Sequence, residues 1–211
     1  MPSTNPTGAA RMVNRAILGA TLAFSGLAVC FLLVLAPHVR QRSAAVAALV
    51  YGATLVLSAL FSFLYHTLET ARRRRLLRLI DHSAIFLLIA GTYTPFAEIA
   101  LGPVGSSLLA WVWALALLGV GLKLVLREAY DRAFVPIYLT IGWVFIVALD
   151  DILRTLDPAA MALLGIGGLA YTVGALIYFR DIGRWTDPVW HAFVLVGTTT
   201  HFLAVLAVLP A

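Results

Sequence analysis

Charge is scarce in this chain. Asp, Glu, Lys and Arg make up only 12 % of its 211 residues, about half the ~25 % of a soluble domain. That shortage excludes a soluble globular fold. Cysteine is almost missing too: Cys30 stands alone, so no intramolecular disulfide can form and no redox chemistry is implied. Internal repeats and low-complexity segments are not evident. The formal net charge of +5 and a sequence pI near 9.8 do not point to nucleic acid, because the basic residues cluster between apolar runs, the pattern of membrane topology. What the chain has in quantity is hydrocarbon. It is 62 % hydrophobic, with a mean hydropathy of +0.95.

Seven apolar runs approach or exceed the roughly 20 residues that a helix needs to cross a bilayer core. They cover about residues 17–36, 44–66, 79–99, 106–126, 134–149, 159–179 and 188–209. The sequence therefore predicts an all-α, seven-helix integral membrane bundle, one domain over residues 14–211 behind a disordered cytoplasmic tail of residues 1–13. The first run is long for a signal peptide and has no convincing cleavage site. Gly91 and Pro95 are candidates for a bend in the third span. Glycines 165, 167, 168 and 174 permit close packing of the sixth. Trp111, Trp113, Tyr130, Tyr178, Trp185 and Trp190 fit interfacial belts.

Orientation follows from the basic residues. Arg11, Arg15, Arg72, Arg73, Arg74, Arg75, Arg78, Lys123, Arg127, Arg132, Arg180 and Arg184 share one side, against Arg40, Arg42 and Arg154 on the other. The bias predicts a cytoplasmic N-terminus and an outside C-terminus, in the cell membrane.

Seven spans in that order bring three polar stretches to the cytoplasmic side. Ser62-Phe63-Leu64-Tyr65-His66 ends the second span, Asp81-His82 begins the third, and Asp187-Pro188-Val189-Trp190-His191 opens the seventh. Ionisable groups inside a membrane are costly and signal function by default. Asp187 and His191 sit four residues apart on one helix face, a spacing that suits one ion. The expected metal ligands are His66, Asp187 and His191. The expected ion is zinc, which takes imidazole and carboxylate donors and keeps a position for water in catalytic sites. Asp81 would accept a proton from that water, and Ser62 would hydrogen-bond the carboxylate or an oxyanion. His201, ten residues beyond His191, belongs about 15 Å deeper.

Plainer readings stand beside these. Thr186-Asp187-Pro188 also reads as a helix start, with Asp187 as the cap and Pro188 behind it. His66 has the alternative of an interfacial histidine beside Glu69, with the ligand favoured, and Asp81 that of a partner of Arg78 or the basic run. His82 reads as a hydrogen-bonded interfacial residue. A Ser62–His66–Asp81 nucleophilic triad is an alternative that leaves His191 without a role.

Ser62 and His66 at i, i+4, Asp81 at the head of the third span and the motif opening the seventh resemble the hemolysin III family. That family sits with the progestin and adipoQ receptors and is distantly similar to the alkaline ceramidases. Asp81-His82-Ser83-Ala84-Ile85-Phe86, Gly91-Thr92-Tyr93-Thr94-Pro95, Gly168-Leu169-Ala170-Tyr171-Thr172-Val173-Gly174 and Trp190-His191-Ala192-Phe193-Val194-Leu195 carry the resemblance. It implies a seven-helix fold, a cytoplasmic-side zinc and hydrolysis of lipid amides such as ceramide, with membrane lipids as partners. The chain departs from the family at Asp187, where a histidine is usual, and lacks the family's histidine motif around residues 14–19. Two other expectations remain beside the hydrolase: a non-catalytic protein of membrane-lipid homeostasis with structural zinc, and a pore-forming hemolysin.

Overall fold

A computed structural model of the chain describes residues 8–68, 71–126 and 131–210. Within these residues every regular element is helical, and seven stretches are long and apolar enough to cross a membrane. The spans are α1 (Gly8–Leu35), α2 (Arg42–Thr67), α3 (Ala71–Ala100), α4 (Gly102–Leu126), a fifth made of α5 (Phe134–Gly142) and α6 (Leu149–Thr155), then α7 (Pro158–Arg180) and α8 (Thr186–Val208). Large apolar side chains face outward, as at Val125 and Val147, which are 78 % and 86 % exposed. Lipid is a solvent for such groups, so the aqueous rule of hiding them does not apply.

Two expectations need correction. Helix α1 begins at Gly8, so residues 8–13 are helical rather than part of a tail; residues 1–7 lie outside the described part. Arg11 and Arg15 do not stop the helix, because arginine is a good helix former and its long side chain can reach water from the first turns. The fifth span, expected as one helix, breaks after Gly142 into a 3-10 stretch over Val144–Ala148. The side chain of Tyr93, on α3, repairs the break. Its hydroxyl lies 2.9 Å from the Gly142 carbonyl and 3.1 Å from that of Ile141, and accepts the Phe145 N–H at 2.9 Å. A neighbouring helix thus satisfies backbone groups that hydrocarbon cannot. Helix α3, by contrast, continues through Pro95.

The spans other than α4 form a ring. Helix α1 packs between α2 and α8, α3 touches α2 and α8, and the fifth span packs between α3 and α7. Small residues set the closest approaches. A Cβ on Gly174 would fall 2.7 Å from Phe193, and one on Gly91 2.0 Å from the Thr54 hydroxyl, so neither position accepts a side chain without shifting its neighbour. Inside the ring lies a cavity of about 220 Å³, lined from every span except α4.

Two of the expected belt residues behave differently. Trp111 is exposed, whereas Trp113 turns inward and donates to the Thr94 hydroxyl at 3.2 Å. Their i, i+2 spacing puts them on different faces of α4. Tyr130, Glu69 and Arg127 lie outside the described residues.

Candidate functional site

One end of the cavity gathers Ser62 and His66 from α2, Asp81 from α3, and Asp187 and His191 from α8. All five residues expected from the sequence therefore line one wall. The imidazoles of His66 and His191 are in contact, with ring centres 4.7 Å apart and planes at 81°. Alternating chain direction puts the end of α2 and the starts of α3 and α8 at the same depth, and the α1 start joins them.

From α1 comes the residue that the sequence reading missed. Asn14 is buried and lies between the two histidines. His191 donates its Nδ1–H to Asn14 Oδ1 at 2.7 Å, and Asn14 Nδ2 faces His66 Nδ1 at 3.4 Å. A polar carboxamide one turn before the first apolar run was the available signal.

A hydrogen-bond chain results. Because Asn14 accepts from Nδ1, neutral His191 keeps a lone pair on Nε2, which faces Ser62 Oγ at 3.4 Å. Ser62 also contacts the Asp81 carboxylate. The hydroxyl has one proton for two acceptors, so an acceptor at this end is always left wanting a donor or a cation. Asp81, 7 % exposed, has no basic residue in direct contact among the described ones.

A second polar cluster sits beside the first. Asp131, just before α5, receives Lys123 from α4 and Arg78 from α3, with His82 Nδ1 at 3.4 Å. Lys123 is 1 % exposed and also lies over the Phe134 ring, 4.6 Å from its centre. The alternative that Asp81 pairs with Arg78 is thereby corrected: Arg78 goes to Asp131, and Asp81 goes to Ser62. His82 keeps the hydrogen-bonded role expected of it.

Asp187 does not cap α8. The helix starts one residue earlier, the residue in the cap position is Trp185, and no side chain caps it. Asp181 takes the local task instead, accepting from the Thr186 hydroxyl and the Gly183 N–H. With the Arg132 guanidinium also on it, the Asp181 carboxyl is held below the usual carboxylate range. Asp187 is left in the first turn on the cavity wall.

Two imidazoles and two carboxylates at one cavity end match the donor types that zinc takes. The match is one of donor type and placement. Among the described residues, no three His, Cys, Asp or Glu side chains are gathered around a single point. The two imidazoles are in contact, and no third such donor shares their point among the described residues.

The family model described as "Haemolysin-III related" matches residues 17–202. The chain belongs to the haemolysin III family. A similar relative is Hemolysin-3 of Bacillus cereus, 39 % identical over 190 residues that cover 90 % of this chain and 86 % of that protein. The Hemolysin-3 homolog of Bacillus subtilis is 36 % identical over 180 residues, 85 % and 84 % of the two chains. More distant is the human Monocyte to macrophage differentiation factor, 25 % identical over 76 % of this chain and 69 % of that one. Both ends of the site fall within the aligned family except Asn14, which precedes the matched segment of this haemolysin III protein.

Proposed function

We propose that this haemolysin III protein is a membrane hydrolase of lipid amides or esters, with zinc held by His66, His191 and Asp187. The observation that carries it is the contact between the two imidazoles at the polar end of an otherwise apolar cavity. The basic residues share that end, so the site would open toward the cytoplasmic leaflet of the cell membrane. Bound zinc would polarise a carbonyl and bring the pKa of its water toward about 7. Asp81, with the Ser62 hydroxyl beside it, would take the proton from the attacking water and pass it to the leaving group. Ser62 would hydrogen-bond the developing oxyanion or steady Asp81. Asn14 would hold His191 in the tautomer that presents Nε2. The apolar walls would seat the lipid chain and keep bulk water out.

A second reading has its own observation. Ser62 Oγ, His191 Nε2 and Nδ1, and Asn14 Oδ1 stand in the order nucleophile, base, orienting group, the arrangement that serine and cysteine hydrolases use. The Ser62–His66–Asp81 triad considered from the sequence is not formed, since the serine's imidazole partner is His191. The two readings compete for one lone pair on His191.

The deciding experiment measures metal content of the purified wild type, His66→Ala and His191→Ala, with product analysis on a panel of lipid amides and esters. The zinc hydrolase expects bound zinc in the wild type, its loss in both variants, and turnover abolished by a chelator. Turnover that survives chelation and is blocked by a fluorophosphonate at Ser62 would replace it with the serine mechanism. Zinc without turnover of any lipid would leave a structural metal.

A further inference from the structure

The cavity ends among polar groups at both ends. Away from the histidine pair it is lined by Tyr171 and Thr172 of α7 and by Thr198 and His201 of α8. Ten residues separate His191 from His201, so this far end lies about 15 Å along α8, near mid-membrane. Polar side chains at that depth are expensive unless they are satisfied or used.

Their hydrogen bonds can be accounted for one by one. Thr172 donates to the Gly168 carbonyl and accepts from Trp143 Nε1, so it is satisfied. The Tyr171 and Thr198 hydroxyls bond to each other at 2.9 Å. That bond uses one of their two protons and leaves the other O–H unspent among the described residues. His201 Nε2 donates to the Leu164 carbonyl at 3.3 Å, which leaves Nδ1 as an acceptor. The ring is fixed in place: a Cβ on Gly167 would lie 2.2 Å from its Cδ2, and the Tyr171 ring packs edge-on at 5.4 Å. Tyr51, also buried, has a hydroxyl with no hydrogen-bond partner among the described residues.

The far end therefore holds one unspent hydroxyl donor and one imidazole acceptor among its lining residues, on a tyrosine–threonine pair and a histidine whose ring packs against that tyrosine. An alcohol is the group that uses both, because its oxygen accepts and its hydrogen donates. A ketone or ester oxygen uses only the donor, and a bare methylene uses neither.

We propose that the Tyr171–Thr198–His201 end of the cavity is a hydroxyl-binding subsite, which selects lipids whose chain carries an alcohol about 10–15 Å from the histidine pair. The proposal rests on the reading that the cavity seats a lipid chain, and adds which chain. Leaving a buried donor and acceptor unpaired is penalised, so the subsite works by disfavouring plain chains as much as by favouring hydroxylated ones.

The test is binding rather than turnover. The full chain in phosphatidylcholine nanodiscs is loaded with tritiated stearic acid, which is then displaced by hydroxystearic acids with the hydroxyl at successive carbons. Wild type should prefer one position over stearic acid by about three- to tenfold, with neighbouring positions and the oxo analogue falling back. The double variant Tyr171→Phe/Thr198→Val, which removes the donor, and His201→Leu, which removes the acceptor, should each flatten the profile while stearic acid still binds, which also shows that the variants fold. A flat profile in wild type overturns the subsite and leaves the lipid cavity standing. No binding of stearic acid at all overturns both.

Discussion

Two buried carboxylates at the same end of the bundle are treated oppositely. Asp131 is held by two cations, Lys123 and Arg78, with the edge of the His82 ring also reaching it. Asp81 is just as buried, yet its direct contact is a serine hydroxyl, and its charged neighbours include the like-charged Asp187. A compensated carboxylate tied to three spans holds helices together. The other, with a neutral hydroxyl beside it, sits on the cavity wall near two imidazoles, where the proposed hydrolase would use it to exchange a proton. The lesson is that burial alone does not say what a carboxylate does in a membrane; the identity of its partners separates these two.

The contrast can be tested from both sides. The largest effect is expected at Asp81. Asp81→Asn keeps the shape and the contact with Ser62 but removes the proton acceptor, so turnover of a lipid amide cleaved by wild type should fall about 10²- to 10⁴-fold. Thermal unfolding in detergent should barely move; a large loss of stability would make Asp81 a second Asp131. The mirror experiment is Asp131→Ala, which strands the buried Lys123 ammonium and takes one ion-pair partner from Arg78. Breaking one partner out of a buried ion cluster costs about 3–5 kcal/mol, and unfolding in detergent should report it. An Asp131→Ala protein of unchanged stability would remove the structural half of the comparison.

Smaller effects sharpen the picture. Tyr93→Phe should cost about 1–3 kcal/mol, the penalty for leaving the Phe145 N–H and the carbonyls at the fifth-span break without a partner. Asp181→Asn should cost at most about 1 kcal/mol, because its ion pair with Arg132 is exposed and screened. Its folded-state carboxyl is shifted down, so its stabilisation is present at neutral pH and fades as pH falls through the acid range below about 4. Asparagine tolerates the positive φ of 56° at that position, so the variant tests charge alone. Unfolding curves for wild type and variant should converge at low pH.

Much of the site was legible because membrane topology acts as a geometric constraint. Once seven spans are fixed by apolar length, the alternation of direction forces residues 66, 81 and 191 to one depth, whatever the packing. Lateral choices were not legible. That His191 rather than His66 faces Ser62, that Arg78 passes over Asp81 for Asp131, and that Lys123 is buried all depend on helix rotation and on which spans are neighbours. Asn14 escaped for the same reason: a carboxamide at the start of a helix says nothing about its partners until α1 packs between α2 and α8. The break after Gly142 was hidden because its repair comes from Tyr93 on another span.

Composition and apolar run length by themselves determined the class of this protein, its number of spans and the end of the bundle where its ionisable residues meet, because hydrocarbon permits few ways to satisfy a backbone. Only the tertiary structure decided which of those residues touch, which carboxylate is neutralised, and that a cavity runs from the histidines to a second polar end. Those are matters of rotation and neighbourhood, set by side-chain packing between helices that are far apart in the chain.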